Sequence, residues 1–242
     1  QGISGLAKVL KDNDSGELTP DQRNKIELIA NTSQRLSVLV NDILDFASIK
    51  HGKLKLNIVQ VDLKAIADLV MSTITPVVGE KNIELLVQVD SDVRFIRADE
   101  FRLQQVLFNL IGNAVKYTET GTIKIHASYH DDELAIEITD TGLGIPEEKR
   151  KSLFRPFEQV HVEGHYSASG SGLGLSISRQ LVELHGGSLN LSSEVGYGTM
   201  VHLRFPSSII ADYPETTTRT ELPEARPLVQ AMAKSPQINS NN

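Results

Sequence analysis

Gln105-Val106-Leu107-Phe108-Asn109-Leu110-Ile111-Gly112-Asn113-Ala114-Val115-Lys116-Tyr117 decides how this chain is read. Apolar residues recur at three- and four-residue spacings, which predicts an amphipathic helix over 99–117. Asn109 and Asn113 stand four apart, so their amides project from one face, one turn apart. Lys116 is the next helical neighbour. Two neutral oxygen donors and a cation suit a phosphate–Mg²⁺ cluster, because Mg²⁺ takes oxygen ligands and shares them with substrate phosphates. Paired Asn residues are more often a solvated helix face, so the pattern gains weight only from its neighbours.

Two glycine-bearing stretches lie downstream. Asp140-Thr141-Gly142-Leu143-Gly144 follows the alternating strand pattern Leu134, Ile136, Ile138. A carboxylate at a strand end can accept a hydrogen bond from an exocyclic amine such as that of adenine. Glycines beside it let the backbone approach a flat ring without a Cβ clash. A plain strand-to-helix turn has the same appearance. Gly170-Ser171-Gly172-Leu173-Gly174-Leu175 opens a helix over 173–185, and backbone N–H groups at a glycine-rich helix start form an anion site. No Gly-Lys-Ser/Thr follows, which excludes a Walker A loop, and the glycine spacing excludes a dinucleotide fingerprint. Residues 155–171 lack apolar periodicity and read as a lid or binding loop. His161 and His165 within it lack a third metal ligand.

Further out, strand patterns appear at Leu54-Leu56-Ile58, Leu85-Val87-Val89, Ile123-Ile125-Ala127, Leu189-Leu191 and Val201-Leu203-Phe205, with another helix at 62–75. Close neighbours 121–130 with 133–140, and 187–193 with 198–205, predict antiparallel pairs. The fold class is α+β: a mixed, mostly antiparallel sheet with helices on one face, an α/β sandwich over 53–206. Before it, Thr19-Pro20-Asp21-Gln22 suits a helix start with a capping box. Ile26, Ile29, Ser33, Leu36, Val40, Ile43 and Ala47 then alternate three- and four-residue steps, a coiled-coil seam. With a short apolar stretch at 3–10, this makes 1–50 a truncated dimerising helical hairpin. Residues 207–242 hold prolines among Thr, Ser, Asn and Gln and read as a flexible linker or tail.

Of 242 residues, 40% are hydrophobic, enough for a packed core, and the net charge is −7, which disfavours a broad nucleic-acid face. There is no cysteine, so disulfides and thiolate metal sites are excluded. No apolar run approaches ~18 residues. The opening Gln1-Gly2-Ile3 lacks a leader and reads as an excised fragment.

Taken in order, these segments resemble sensor histidine kinases. Gln105–Tyr117 resembles their N box, Asp140-Thr-Gly-Leu-Gly144-Ile145-Pro146 their G1 box, Phe154-Arg-Pro-Phe157 the F box and Gly170–Leu175 the G2 box. Gly196-Tyr-Gly198-Thr199 resembles the closing Gly-x-Gly-Thr. Asn41-Asp42-Ile43-Leu44-Asp45-Phe46 resembles the end of the second helix of the dimerisation and phosphotransfer domain. The resemblance covers 1–206 and implies the Bergerat ATP-binding fold shared with gyrase and MutL.

It also implies roles. Asn113 ligates Mg²⁺ with Asn109 in support, Lys116 meets phosphate, and Tyr117 lines the pocket. Asp140 binds the adenine amine, flanked by Gly142, Gly144 and Ile145. Gly172, Leu173, Gly174 and Leu175 hold phosphates through backbone N–H groups, and Thr199 backs the adenine site. In the hydrolysing relatives a Glu stands at the position of Asn109; an amide cannot take a proton at neutral pH, which favours a phosphoryl donor over an ATPase. ATP and Mg²⁺ are the implied ligands. The implied partners are a second copy through 20–50 and a response-regulator receiver domain, separate or fused downstream, with no nucleic acid. The implied location is a cytoplasmic domain of a parent that is membrane-anchored or free. Two departures set expectations. The family's phosphoacceptor box is not found among the seven histidines, so the acceptor His is expected to be absent from this chain and no catalytic residue is assigned. The lid carries Gln159 and Tyr166 where cations are expected, which leaves open a nucleotide-binding pseudokinase or scaffold.

Overall fold

The computed structural model describes Ile3, Gly5, residues 18–158 and residues 171–211. Among the described residues the chain divides into two units, one ending at Asn41 and one beginning at Asp42. Helix α1, Pro20–Lys50, begins in the first and ends in the second. Its start is the expected capping box: Gln22 N–H donates to Thr19 Oγ1 (3.3 Å) and Thr19 N–H donates to Gln22 Oε1 (2.9 Å). No residue of α1 is buried. Ile29, Leu36, Val40 and Ile43 of the seam expose between 47% and 60% of their surface. Of the apolar stretch at 3–10, only Ile3 and Gly5 lie within the described residues, and both are helical.

The larger unit holds two sheets. Strands β1 (Val59–Asp62) and β3 (Phe95–Ala98) pair antiparallel. The main sheet runs β2 (Asn82–Val89), β4 (Thr120–His130), β5 (Glu133–Asp140), β7 (Gly198–Pro206), β6 (Ser188–Glu194). Only β2 and β4 are parallel; the other three pairings are antiparallel. Helices α2 (Leu63–Val78), α3 (Glu100–Tyr117) and α5 (Gly174–Leu184) pack together with α3 in the middle, and α4 (Glu147–Arg150) is a single turn. The core lies between α3 and the sheet: Leu107 and Ile111 are fully buried against the cluster of Ile123, Ile125, Leu134, Ile136 and Leu203. Each such side chain contributes roughly 1.5–3 kcal/mol. This is the α+β sandwich with a mixed, mostly antiparallel sheet that the patterns predict.

Helix α3 is held at both ends. Asp99 caps it, its Oδ1 accepting from Arg102 N–H (3.1 Å) and its Oδ2 from Asn57 N–H (2.9 Å). The Asp99 N–H donates to Nε2 of His185, whose Nδ1 lies 2.7 Å from Leu181 O. At the far end Lys81 Nζ donates to Val115 O and Thr118 O, both at 2.9 Å.

Two sequence expectations are corrected, and one strand is added to them. Leu54-Leu56-Ile58 does not form a strand; pairing starts at Val59, because β3 spans only four residues. β3 itself has no counterpart in the apolar patterns. The tail does not begin at 207: Ser207–Ile209 is a 3₁₀ turn with Ile209 buried, Ile210 bridges to Ile96, and Ala211 N–H donates to Phe95 O (2.8 Å). Those apolar residues have a place on β3 that composition alone does not reveal. Residues 212–242 lie outside the described residues.

Candidate functional site

The second half of α3 and two loops place the expected residues. Asn109, Asn113, Lys116 and Tyr117 are all half-buried on α3. Asn109 Nδ2 donates to Ser178 Oγ on α5 (2.8 Å). A Cβ at Gly174 would collide with Asn109 Oδ1, so glycine there is what lets α5 start against the amide. The Lys116 ammonium lies 5.0 Å from the centre of the Tyr117 ring, a cation–π distance. The Tyr117 carbonyl accepts from Leu143 N–H (3.1 Å), which ties the end of α3 to the loop after β5.

Asp140 ends β5. Its Oδ1 accepts from Gly142 N–H (2.9 Å) and from Thr199 N–H (3.2 Å), in register with the β5–β7 pair. Burial pushes its carboxyl above the ordinary carboxylate range, and the two backbone hydrogen bonds pull the other way. Among the described residues nothing donates to its Oδ2, so this oxygen is left to accept from a ligand. At Gly142 a Cβ would lie 2.5 Å from Tyr117 O and 3.0 Å from Asp140 Oδ1, which reserves that position for glycine. Ile145 N–H donates to Ser193 Oγ (2.8 Å), and Ser193 Oγ stands 2.9 Å from Thr199 Oγ1.

Gly172 and Leu173 form the turn before α5, and Gly174 and Leu175 form its first residues. The Leu173 side chain is buried in the core and its N–H donates to Ser171 Oγ (3.1 Å). Ser171 Oγ in turn donates to Asp42 near the end of α1 (2.8 Å). Burial, helped by the charge of Asp45, raises the Asp42 carboxyl, and the Ser171 bond opposes it. The next turn of α1 adds Asp45, 2.7 Å from Arg102, and Phe46, edge-on to Phe157 at 6.3 Å.

The structure therefore joins Asp140, Gly142 and Thr199 in one cluster and Asn109 with Gly174 in another. The Asn113 side chain makes no hydrogen bond to another described residue. Ser171, Ser178 and Ser193 were not singled out by sequence; only Ser193 had a usable signal, since counting back across the turn from Thr199 places it opposite. Gln159, His161, His165 and Tyr166 lie outside the described residues, as does Gly170.

Family models match both parts. Residues 98–209 match the histidine kinase-, DNA gyrase B- and HSP90-like ATPase family, and residues 1–52 match the His Kinase A (phospho-acceptor) domain. The chain carries a histidine-kinase ATP-binding domain with a His Kinase A region. Among curated relatives, the circadian input-output histidine kinase CikA of Synechococcus elongatus is 35% identical over 213 residues, 87% of this chain and 28% of the relative. The autoinducer 2 sensor kinase/phosphatase LuxQ of Vibrio cholerae is 31% identical over 232 residues, 94% of this chain and 27% of the relative. This chain thus spans between a quarter and a third of those relatives. The crystal structure of full-length ShkA in complex with AMPPNP superposes with a TM-score of 0.73 at 32% identity, covering 88% of this chain and 44% of that one. The catalytic domain of ThkA gives 0.55 at 27% identity, covering 63% and 97%.

One expectation is overturned here. The phosphoacceptor was expected to be absent, yet the phospho-acceptor domain model matches residues 1–52, so that domain is part of the chain. A search for one short box around a histidine misses what a whole-domain pattern of helical positions detects. Among the described residues, no helix is long and apolar enough to cross a membrane.

Proposed function

We propose that the chain binds Mg²⁺–ATP between the second half of α3, the loop after β5, the start of α5 and the start of β7, and serves as the phosphoryl donor of a histidine kinase. The observation that carries this reading is Asp140: a half-buried carboxylate with one oxygen saturated by backbone and the other left to accept from a base amine. Gly142, Gly144 and Ile145 shape the rim on which the base lies, and Thr199 backs it. Tyr117 lines the wall and Lys116 meets phosphate. Gly172, Leu173, Gly174 and Leu175 offer backbone N–H groups to the phosphates.

The donor set fits Mg²⁺ held jointly with substrate. Among the described residues no three His, Cys, Asp or Glu side chains gather as a metal site. Asn113, with Asn109 in support, offers neutral oxygens that complete a shell otherwise made of phosphate oxygens and water. When bound, the metal offsets charge on the transferring group. Asn109 holds Ser178 and α5 in place, and its amide does not take a proton from water, which favours transfer over hydrolysis.

Residues 1–50 serve as the dimerisation and phosphotransfer region, and the ATP-binding domain runs from 53 to 211, where Ala211 N–H still bonds to Phe95 O. The half-exposed seam of Ile29, Leu36, Val40 and Ile43 supports pairing with a second copy. A response-regulator receiver domain is the acceptor of the phosphoryl group after histidine. The test is calorimetry with ATP and Mg²⁺: Asp140→Asn lowers affinity roughly ten- to a hundredfold, the worth of a hydrogen bond to a charged group. Unchanged affinity overturns the assignment of Asp140 to the base.

A further inference from the structure

Ser193, on the edge strand β6, sits at a junction of three hydrogen bonds. Its hydroxyl donates to Gly198 O (2.8 Å), accepts from Ile145 N–H (2.8 Å), and lies 2.9 Å from Thr199 Oγ1, directly across the β6–β7 ladder. A serine hydroxyl has one hydrogen and two lone pairs. The hydrogen is spent on Gly198 O. The Ile145 N–H takes one lone pair, and the Thr199 contact is satisfied only if Thr199 supplies the hydrogen. With that hydrogen committed to Ser193, Thr199 Oγ1 has only lone pairs to offer elsewhere. Asp140, joined to Thr199 through its backbone N–H, is likewise an acceptor.

We infer that Ser193 is a positioning residue that fixes Thr199 as a hydrogen-bond acceptor, so that the site selects a purine edge that donates over one that accepts. This rests on the reading that Asp140 and Thr199 face the base. A 6-amino purine brings N–H groups to this edge. A 6-oxo purine brings a carbonyl oxygen, which would meet two oxygens with no hydrogen between them. Ser193 also fastens the loop at Ile145 to β6, so the same hydroxyl sets both the position of the rim and the polarity of Thr199.

The test compares ATP with GTP, each with Mg²⁺, by calorimetry on the whole chain. Ser193→Ala releases the Thr199 hydroxyl to rotate and donate; the ratio of ATP to GTP affinity then falls roughly fivefold or more, the scale of one neutral hydrogen bond. Ser193→Thr keeps a hydroxyl and retains the ratio. Equal loss of both nucleotides in Ser193→Ala, with the ratio unchanged, assigns Ser193 a purely structural role and overturns the inference. Thr199→Val provides an arm that leaves Ser193 in place: it removes the acceptor, weakens ATP and not GTP, and an unchanged ratio there overturns the inference as well. Asp140→Asn tests the underlying reading separately, because undiminished ATP affinity in that variant defeats the placement of the base whatever Ser193 does.

Discussion

Helices α1 and α3 both carry apolar stripes, weaker on α1, and treat them in opposite ways. α3 buries eight residues in its own chain, among them Leu107 and Ile111, whereas α1 buries none and leaves Leu28, Leu36 and Leu44 largely exposed. Periodicity reports that a face seeks a partner; it does not report whether the partner is in the same chain. The stripe of α3 meets a sheet a few residues away in sequence. That of α1 is left uncovered by the described residues of this chain.

The largest expected effect comes from breaking the buried side of this contrast. Leu107→Ala lowers unfolding free energy by ~2–5 kcal/mol, because it removes contacts and leaves a cavity. Leu28→Ala, on the exposed side, stays within ~0.5 kcal/mol. Urea titration of both variants in dilute solution measures the difference, and similar losses would erase the distinction between the helices. Next, Leu36→Glu places a charge in the seam, and a dimer through α1 should weaken roughly a hundredfold, the effect of ~2.7 kcal/mol. Sedimentation equilibrium checks this; an undisturbed dimer places the interface elsewhere. A smaller effect belongs to the start of α1: Thr19→Ala removes one half of the capping box and costs ~1 kcal/mol of helix stability, read by circular dichroism on heating.

The smallest effect separates stability from binding at Asp140. Burial raises its carboxyl, so the folded protein keeps that proton at a pH where the unfolded chain has released it. The stability this provides is full below the unfolded value and is lost as pH rises through the folded one. Asp140→Asn retains an oxygen for both backbone bonds and removes the buried charge. The nucleotide-free variant should therefore melt at or slightly above the parent temperature at neutral pH, even as it loses affinity for ATP. A lower melting temperature would mean that the carboxylate supports the fold as well as the ligand.

Much of this was legible beforehand, and the reasons differ by element. The cap at Thr19 and the hairpins β4–β5 and β6–β7 are local, so short-range chemistry specifies them. Gly142 and Gly174 were legible because backbone–side-chain crowding leaves room for nothing larger. β3 was not, since four residues with one exposed arginine carry too little periodicity. Ser171 and Ser178 were not, because their roles come from contacts between elements far apart in sequence, such as Ser171 with Asp42 and Ser178 with Asn109. The phosphoacceptor domain is legible in the pattern of the whole region 1–52 and not in any one short box around a histidine.

His185 has a consequence of another kind. Its Nε2 receives the backbone N–H of Asp99, so that nitrogen carries no proton, and its Nδ1 donates to Leu181 O. Both ring nitrogens are thus engaged, which fixes the ring's orientation and leaves neither free for a metal or a phosphoryl group. It rivets the C-terminal end of α5 to the N-terminal start of α3, while Asn109 and Ser178 fasten the same two helices farther along. Two helices joined at two separated points lose their freedom to scissor. The platform beneath the glycine turn is thereby pinned at two points.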